Sequence, residues 1–557
     1  MVDNLELGLE ENKEQDAGDS SDGNPFSETP SRPPLSRTSS GITTSSDPST
    51  EDEAPLPAFA LKRKSSRSFA AGNATFLTEC SFGVAHDALV KYITDAEPYV
   101  VHWERLKRVE LSGKAIDSVA RLKEFLPVVE QVDLNDNRIA WLTGLPPTLL
   151  HLSIASNLLT GLTAYKHLPK LQYLNISHNQ VDSFQQLAAL TNLRELHADY
   201  NCLTSLDGLR DIPLRVLTVR GNKIQKVDVR MTQWYDLELL DLSQNQISDL
   251  QGVEHLESLV TLNLDGNRLD YFSILGSRLP ALHVLRLSDN RLSTLNIAGL
   301  DVLRTLYADD NRLSEVIGLE DCRTLHNLSL RNQSQKLRFS ARDVRDVKRL
   351  YLSGNPLSQQ FFSCALPSIS YAELSSCQLA TLPPLRQVMP NVVTLALNWN
   401  HFPNLDFLQG LRQLQRVVAV GCRVESLEMD TVLGGLEQLR ELDLRMNSFT
   451  LGWYLPVMSD LEHKEKRQAV EERDSNGDVA ARSSANPTPE DLDKKYRRGL
   501  PDALYVPRAM WRGLVMERCP AITRLDGLEI NEKERIKTRK LLEQLRLSGL
   551  VLDRAEE

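Results

Sequence analysis

Apolar residues recur along this chain in one nine-residue frame, L-x-x-L-x-L-x-x-N, from Leu106 to about Thr450. The frame is plainest where "LRELHADYN" begins at Leu193 and "LRTLYADDN" at Leu303. Positions four and six alternate with polar neighbours, the period of a strand with one buried face. Each frame therefore predicts a short strand that sends two leucines into a core and then turns. The ninth position is Asn at Asn137, Asn157, Asn179, Asn201, Asn222, Asn245, Asn267, Asn290, Asn311, Asn355, Asn400 and Asn447. It is Lys114, Gln333, Cys377 and Cys422 in the other frames. An Asn at the turn can bond backbone groups of adjacent coils, which would otherwise be buried without partners. Cys fits the same narrow slot as a small, buryable residue, so Cys377 and Cys422 read as part of this ladder.

The frames follow one another at about 22 residues, the signature of a leucine-rich repeat. The expected fold is an α/β leucine-rich-repeat solenoid of about 17 repeats whose strands form one parallel, concave sheet. "WRGLVMERC", Trp511 to Cys519, reads as the seventeenth frame, displaced by an insertion of about 50 residues. Repeat arrays need closed ends to stay soluble. "AHDALVKYITDAEPYVVHWERL" reads as the first cap, and "NEKERIKTRKLLEQLRL" as a closing amphipathic helix. Asn531 would cap that helix, with Glu534 completing a capping box.

Outside the repeats the texture changes. Residues 1–75 are rich in Ser, Thr, Pro, Asp and Glu and hold little that can be buried, as does the stretch 459–495. The expected organisation is a disordered tail (1–75), an N-terminal cap region (76–105), the solenoid (106–458), a disordered insertion (459–495), and a last repeat with a helical cap (496–557). With 64 basic against 75 acidic residues, the balance argues against nucleic-acid binding. No apolar run is long enough to cross a bilayer, and the N-terminus is acidic, unlike a signal peptide. Seven cysteines without a CxxC pair suit a reducing, intracellular setting.

The chain holds no HExxH, P-loop, G-x-G-x-x-G or G-x-S-x-G motif and no Cys/His cluster with zinc spacing, so no enzyme, metal or cofactor is expected. The variable frame positions carry the chemistry instead. Positions three, five and seven leave the strand on the side opposite the core, about 4.8 Å apart from coil to coil. They hold Tyr173, His197, Asp199, Arg220, Asp241, Asp265, Arg286, Tyr307, Asp309, Arg331, Arg349, Tyr351 and Tyr371, and position eight adds Tyr200 and Trp399. Tyr, Trp and Arg are enriched in binding hot spots, so this shelf is the expected protein-binding surface. A solvated face whose aromatics merely cover neighbouring strands is the simpler alternative. In the tail, "TPSR" from Thr29 suits a proline-directed kinase, "STEDE" from Ser49 an acid-directed one, and "RKSSRS", with Ser65 and Ser66, a basophilic one.

Two families use repeats of this length: leucine-rich-repeat regulatory subunits of protein phosphatases, and a fungal spindle-pole-body scaffold related to animal centriolin. The chain resembles the second more specifically. The resemblance rests on "LTGLPPTLLHLSIASNLLTGLTAYKHLPKLQYLNISHN" (142–179), "LRELHADYNCLTSLDGL" (193–209) and "LRELDLRMNSFTLGWYLP" (439–456). "DLDKKYRRGL" (491–500) and "CPAITRLDGL" (519–528) extend it past the insertion. It implies a scaffold of the septation initiation, or mitotic exit, network. Such a scaffold is anchored to a spindle-pole-body protein and docks network protein kinases and small GTPase regulators to control cytokinesis. It implies a location in the cytoplasm, at the spindle pole body, and neither nucleic acid nor membrane as partner. That family usually recruits its kinase and GTPase through a very long N-terminal region, which here is short, so the resemblance bears more on anchoring than on recruitment.

Overall fold

A computed structural model describes residues 88–273, 279–338, 340–455 and 488–547. The tail, with Thr29, Ser49, Ser65 and Ser66, and most of the insertion lie outside these residues. Each frame forms a three-residue strand with its fourth position at the centre, as in Glu195–His197 and Thr305–Tyr307. The strands pair in parallel, in register and coil upon coil: Leu174 lies opposite Leu196, and Leu196 opposite Leu217. The result is an 18-stranded sheet. The central residue and the sixth frame residue are buried throughout, as Leu196 and Ala198 are. Together they line one continuous apolar cluster from Leu89 to Leu525. Frame-to-frame distances are short because the return path of a coil holds no more than a short 3-10 or α-helical turn, such as Leu122–Phe125, or a small secondary strand pair, such as Lys226–Asp228 beside Asp249–Gln251.

The asparagine ladder holds the turn after each strand. Asn157 accepts from Ile139 N of the preceding coil (2.9 Å) and donates to Leu134 O (3.0 Å) and Ile154 O (3.3 Å). Gln333 spans the same slot, bonding Leu313 N and Ala308 O. Cys377 and Cys422 direct Sγ at Leu352 O and Leu397 O, and burial pushes their thiols up to about 12 and about 11. Both are expected to resist alkylation in the native chain and to react once it is denatured, whereas the partly exposed Cys202 and Cys364 should label first. Early labelling of Cys377, read by mass spectrometry, would contradict its burial. Replacing Asn267 with Ala would strand Ile247 N and the carbonyls of Leu242 and Leu264 together. At about 1–3 kcal/mol for each buried group left unpaired, a loss of about 3 kcal/mol or more is expected from urea unfolding. A loss below about 1 kcal/mol would mean that water replaces the amide.

The residue before the ladder position turns left-handed in coil after coil, with φ 55° at Asp136, 51° at Tyr200 and 59° at Trp399. The turn lets its N–H reach the next coil, as Tyr200 N does to Arg220 O (2.7 Å). These repeated bonds offset a conformation that costs a non-glycine residue about 1–2 kcal/mol.

Both ends are closed. At the first, a helical segment at 88–96 lays Leu89 and Ile93 over coil one. At the last, the chain forms three helices: α1 (Pro489–Arg498), α2 (Asp502–Arg518) and α3 (Glu532–Leu547). Here the structure departs from the sequence reading. "WRGLVMERC" is not a seventeenth strand; it lies within α2 and ends at its C-cap, Cys519. Trp511, Val515 and Cys519 recur at helical spacing, and each is buried. The strand that follows coil sixteen is Arg524–Leu525, which pairs in parallel with Glu441–Leu442 and folds back antiparallel onto Leu528–Glu529. Residues 489–495 belong to α1, capped by Thr488, and not to the insertion. Asn531 does cap α3, accepting from Glu534 N (2.9 Å), but the Glu534 carboxylate turns away from the capping box to grip Arg512 (2.6 Å).

The sheet ends on Asp526. Its Oδ1 accepts from Leu444 N (2.9 Å), taking the place of the carbonyl that another strand would supply. Its Oδ2 accepts from Tyr454 Oη (2.6 Å) and Trp511 Nε1 (2.9 Å). Burial, with Asp443 close by, raises the Asp526 carboxyl above the usual carboxylate range.

Candidate functional site

The sheet face opposite the core gathers the variable positions into two clusters and one isolated ring. The first cluster covers coils three to six. Strand register sets His151 opposite Tyr173 (centroids 6.0 Å apart), and Tyr173, opposite Glu195, reaches diagonally to His197 (5.3 Å). His197 Nδ1 meets Thr218 Oγ1 (3.0 Å), and Thr218 donates to Asp199 (3.0 Å), which also accepts from Arg220 N (2.8 Å). Burial lowers the His197 pKa, so its ring is neutral near pH 7. On the rim, Tyr200 stacks on His178 (4.7 Å, 18°) beneath the Arg220 guanidinium (5.7 Å), and its hydroxyl donates to Gln244 (3.3 Å).

The second cluster runs through coils nine to thirteen. Arg286 pairs with Asp265 (2.7 Å) and lies over the Tyr307 ring (5.1 Å). Arg331 pairs with Glu373 (3.0 Å) and lies over Tyr351 (4.6 Å), which packs on Tyr371 (4.9 Å). Burial, reinforced by Glu373, pushes the Tyr371 hydroxyl up to about 12. Arg349, beside Tyr371 in the register, is exposed. Two of the residues expected to touch a partner do not face solvent. Arg286 is 7% exposed and Asp309 3%. Asp309 accepts from Ser329 Oγ and from Arg331 N (2.8 Å), so it ties two coils together. Arg286 and Asp309 thus support the face, while Tyr307, Arg331, Arg349, Tyr351 and Tyr371 form its surface.

Trp399 stands apart on the rim, 47% exposed. A Cβ on Gly421, in the next coil, would fall 2.5 Å from its ring, and one on Gly221 would fall 2.5 Å from the Tyr200 ring. Both glycines are left-handed and leave room for a ring to lie flat on the coil. Sequence reasoning missed these glycines, as it missed His178 and Glu373. An aromatic at position eight with Gly at position eight one repeat later was the available signal.

Among the described residues no group of three His, Cys, Asp or Glu side chains is placed to hold a metal. Among them, too, no helix is long and apolar enough to cross a membrane. What the face offers chemically is a band of rings and guanidinium groups whose charges are largely matched by neighbouring carboxylates. That suits the burial of a protein surface better than the binding of a free anion.

Residues 212–269 match the leucine rich repeat family. The chain is 31% identical over 463 residues to the septation initiation network scaffold protein cdc11 of Schizosaccharomyces pombe, an alignment covering 82% of this chain and 44% of that protein. It is 27% identical over 212 residues to protein NUD1 of Saccharomyces cerevisiae, covering 34% of this chain and 24% of NUD1. Among solved structures, the chain is similar to the functional domain of InlJ from Listeria monocytogenes. It is 21% identical with a TM-score of 0.49, covering 61% of this chain and 74% of that one. The chain thus spans less than half the length of either yeast protein.

Proposed function

We infer, from the premise that this leucine-rich-repeat chain is homologous to the septation initiation network scaffold, that it is itself a non-enzymatic scaffold. It anchors septation initiation or mitotic exit network components at the spindle pole body and so acts on cytokinesis. One observation carries this reading: the 463-residue alignment with cdc11 is longer than the whole run of coils from Leu106 to Leu455. A similarity confined to generic repeats would stop within that run.

The sheet face supports the anchoring half. Tyr200, Arg220, Tyr307, Arg331, Arg349, Tyr351, Tyr371 and Trp399 present rings and guanidinium groups already ordered by their neighbours. Little side-chain entropy is then lost when a spindle-pole-body anchor protein docks. Network kinases and small GTPase regulators would engage the tail, with phosphorylation at Thr29, Ser49, Ser65 and Ser66 tuning that contact. The test is the location of the fluorescently tagged chain through mitosis. A focus at each spindle pole, lost in a strain lacking the anchor, supports the scaffold. A diffuse nuclear signal with a co-purifying phosphatase catalytic subunit would replace this reading with that of a phosphatase regulator.

A further inference from the structure

The C-terminal cap contains a groove that neither the solenoid nor the anchoring reading uses. Between α2 and α3 lies a cavity of about 300 Å³, floored by Tyr505, Ala509 and Leu541. Arg508 and Arg512 form its inner wall, and each is buried and held by a carboxylate: Asp493 (2.7 Å) and Glu534 (2.6 Å). The rim is different. Arg497, Lys537 and Lys540 are exposed, and none has an ion-pair partner among the described residues. Nearby arginines of the same cap are paired, Arg518 with Asp430 (2.6 Å) and Arg546 with Glu517 (2.9 Å). Three cations without an ion-pair partner among the described residues thus stand on the rim of the cavity, in a chain whose net charge is −11.

An apolar floor inside a basic rim is complementary to an apolar side chain flanked by carboxylates. The volume is at the lower end for a ligand pocket and takes one or two side chains. Lys537 and Lys540 lie one helical turn apart on α3, so they can meet two carboxylates at similar spacing. We propose that this groove docks an acidic segment of a partner protein. The segment inserts a leucine- or phenylalanine-sized side chain between α2 and α3 and sets Asp or Glu residues against Arg497, Lys537 and Lys540. Glu534, on the wall, favours a peptide, which brings N–H donors, over a phosphate-bearing lipid headgroup.

The experiment uses the full chain and three labelled peptides in fluorescence anisotropy. The first repeats leucine every third or fourth residue with glutamate between. The second replaces each glutamate with glutamine, and the third replaces each leucine with serine. The first is expected to bind at least about tenfold more tightly than either control and to weaken as salt rises. The triple variant R497E/K537E/K540E, all surface changes, should lose that binding and gain affinity for a peptide with lysine in place of glutamate. The variant Tyr307→Ala/Arg331→Ala/Tyr351→Ala should bind the acidic peptide as the parent does, so failure of the sheet-face reading leaves this result untouched. Equal binding of all three peptides, no measurable binding, or an acidic-peptide affinity unchanged by charge reversal would overturn the proposal. So would capture of phosphatidylserine vesicles through the same three residues with no peptide binding.

Discussion

A chain ending at Leu455 is expected to lose its last coils and aggregate, whereas one lacking only residues 462–487 should melt within a few degrees of the parent. The truncation removes Trp511, Val515, Met516, Cys519, Ile522 and Leu525, all buried against the final coil. At roughly 1.5–3 kcal/mol for each large apolar side chain, the lost burial is on the order of 10 kcal/mol. That is an upper figure, because the unfolded chain already hides part of this surface. The truncation also strips Leu444 N of its acceptor on Asp526. Removal of 462–487 touches none of this, because the two sides of the gap are bonded to each other. Tyr496 Oη donates to Gly452 O (3.0 Å), and Arg508 donates to Trp453 O (2.9 Å) while lying over the Tyr454 ring (4.3 Å). For the same reason, a chain nicked by protease between 456 and 487 should elute as one species on gel filtration. If the pieces separate, or both deletions aggregate alike, the closure is not made by α1–α3.

If the sheet face is the anchor of the proposed scaffold, replacing Tyr307, Arg331 and Tyr351 together with Ala abolishes recruitment to the spindle pole at matched expression. The outer-side variant Lys226→Ala/Glu257→Ala/Glu320→Ala should localise normally. Hot-spot truncations cost roughly 2 kcal/mol or more each and do not add cleanly, so a combined weakening well above a hundredfold is expected. Fold stability should change less. Arg331 gives up a mostly buried ion pair with Glu373, at a cost of about 1–3 kcal/mol, and neither tyrosine enters the core. A thermal melt of the variant is the control. Normal recruitment of a well-folded variant would remove the sheet face as the anchor site and turn attention to the cap.

The repeat was legible because it is dictated locally. Leu196 and Ala198 are buried for the same reason as Leu306 and Ala308 five coils later. A three-residue strand with one buried face has only one arrangement that satisfies the frame, and Asn at the turn supplies the bonds the backbone lacks. Reading positions three, five and seven as one face followed from the same period. It could not tell Tyr307, which remains on the surface, from Arg286, which is buried beside it, because both occupy position five. Burial there depends on the neighbours a coil away, Asp265 for Arg286 and the Arg286 guanidinium for Tyr307.

The sequence by itself determined the solenoid, its register, the asparagine ladder with its two cysteines, and the candidate face, since each rests on contacts that recur every repeat. Only the tertiary structure decided how the array ends. "WRGLVMERC" satisfies the repeat frame and a helical period equally well, and it became helix because Trp511, Val515 and Cys519 then all pack on the last coil. Asp526, which closes the sheet, has partners 82 and 72 residues away, at Leu444 and Tyr454. No local pattern can mark such a residue, because its role exists only when the chain returns to meet its own last strand.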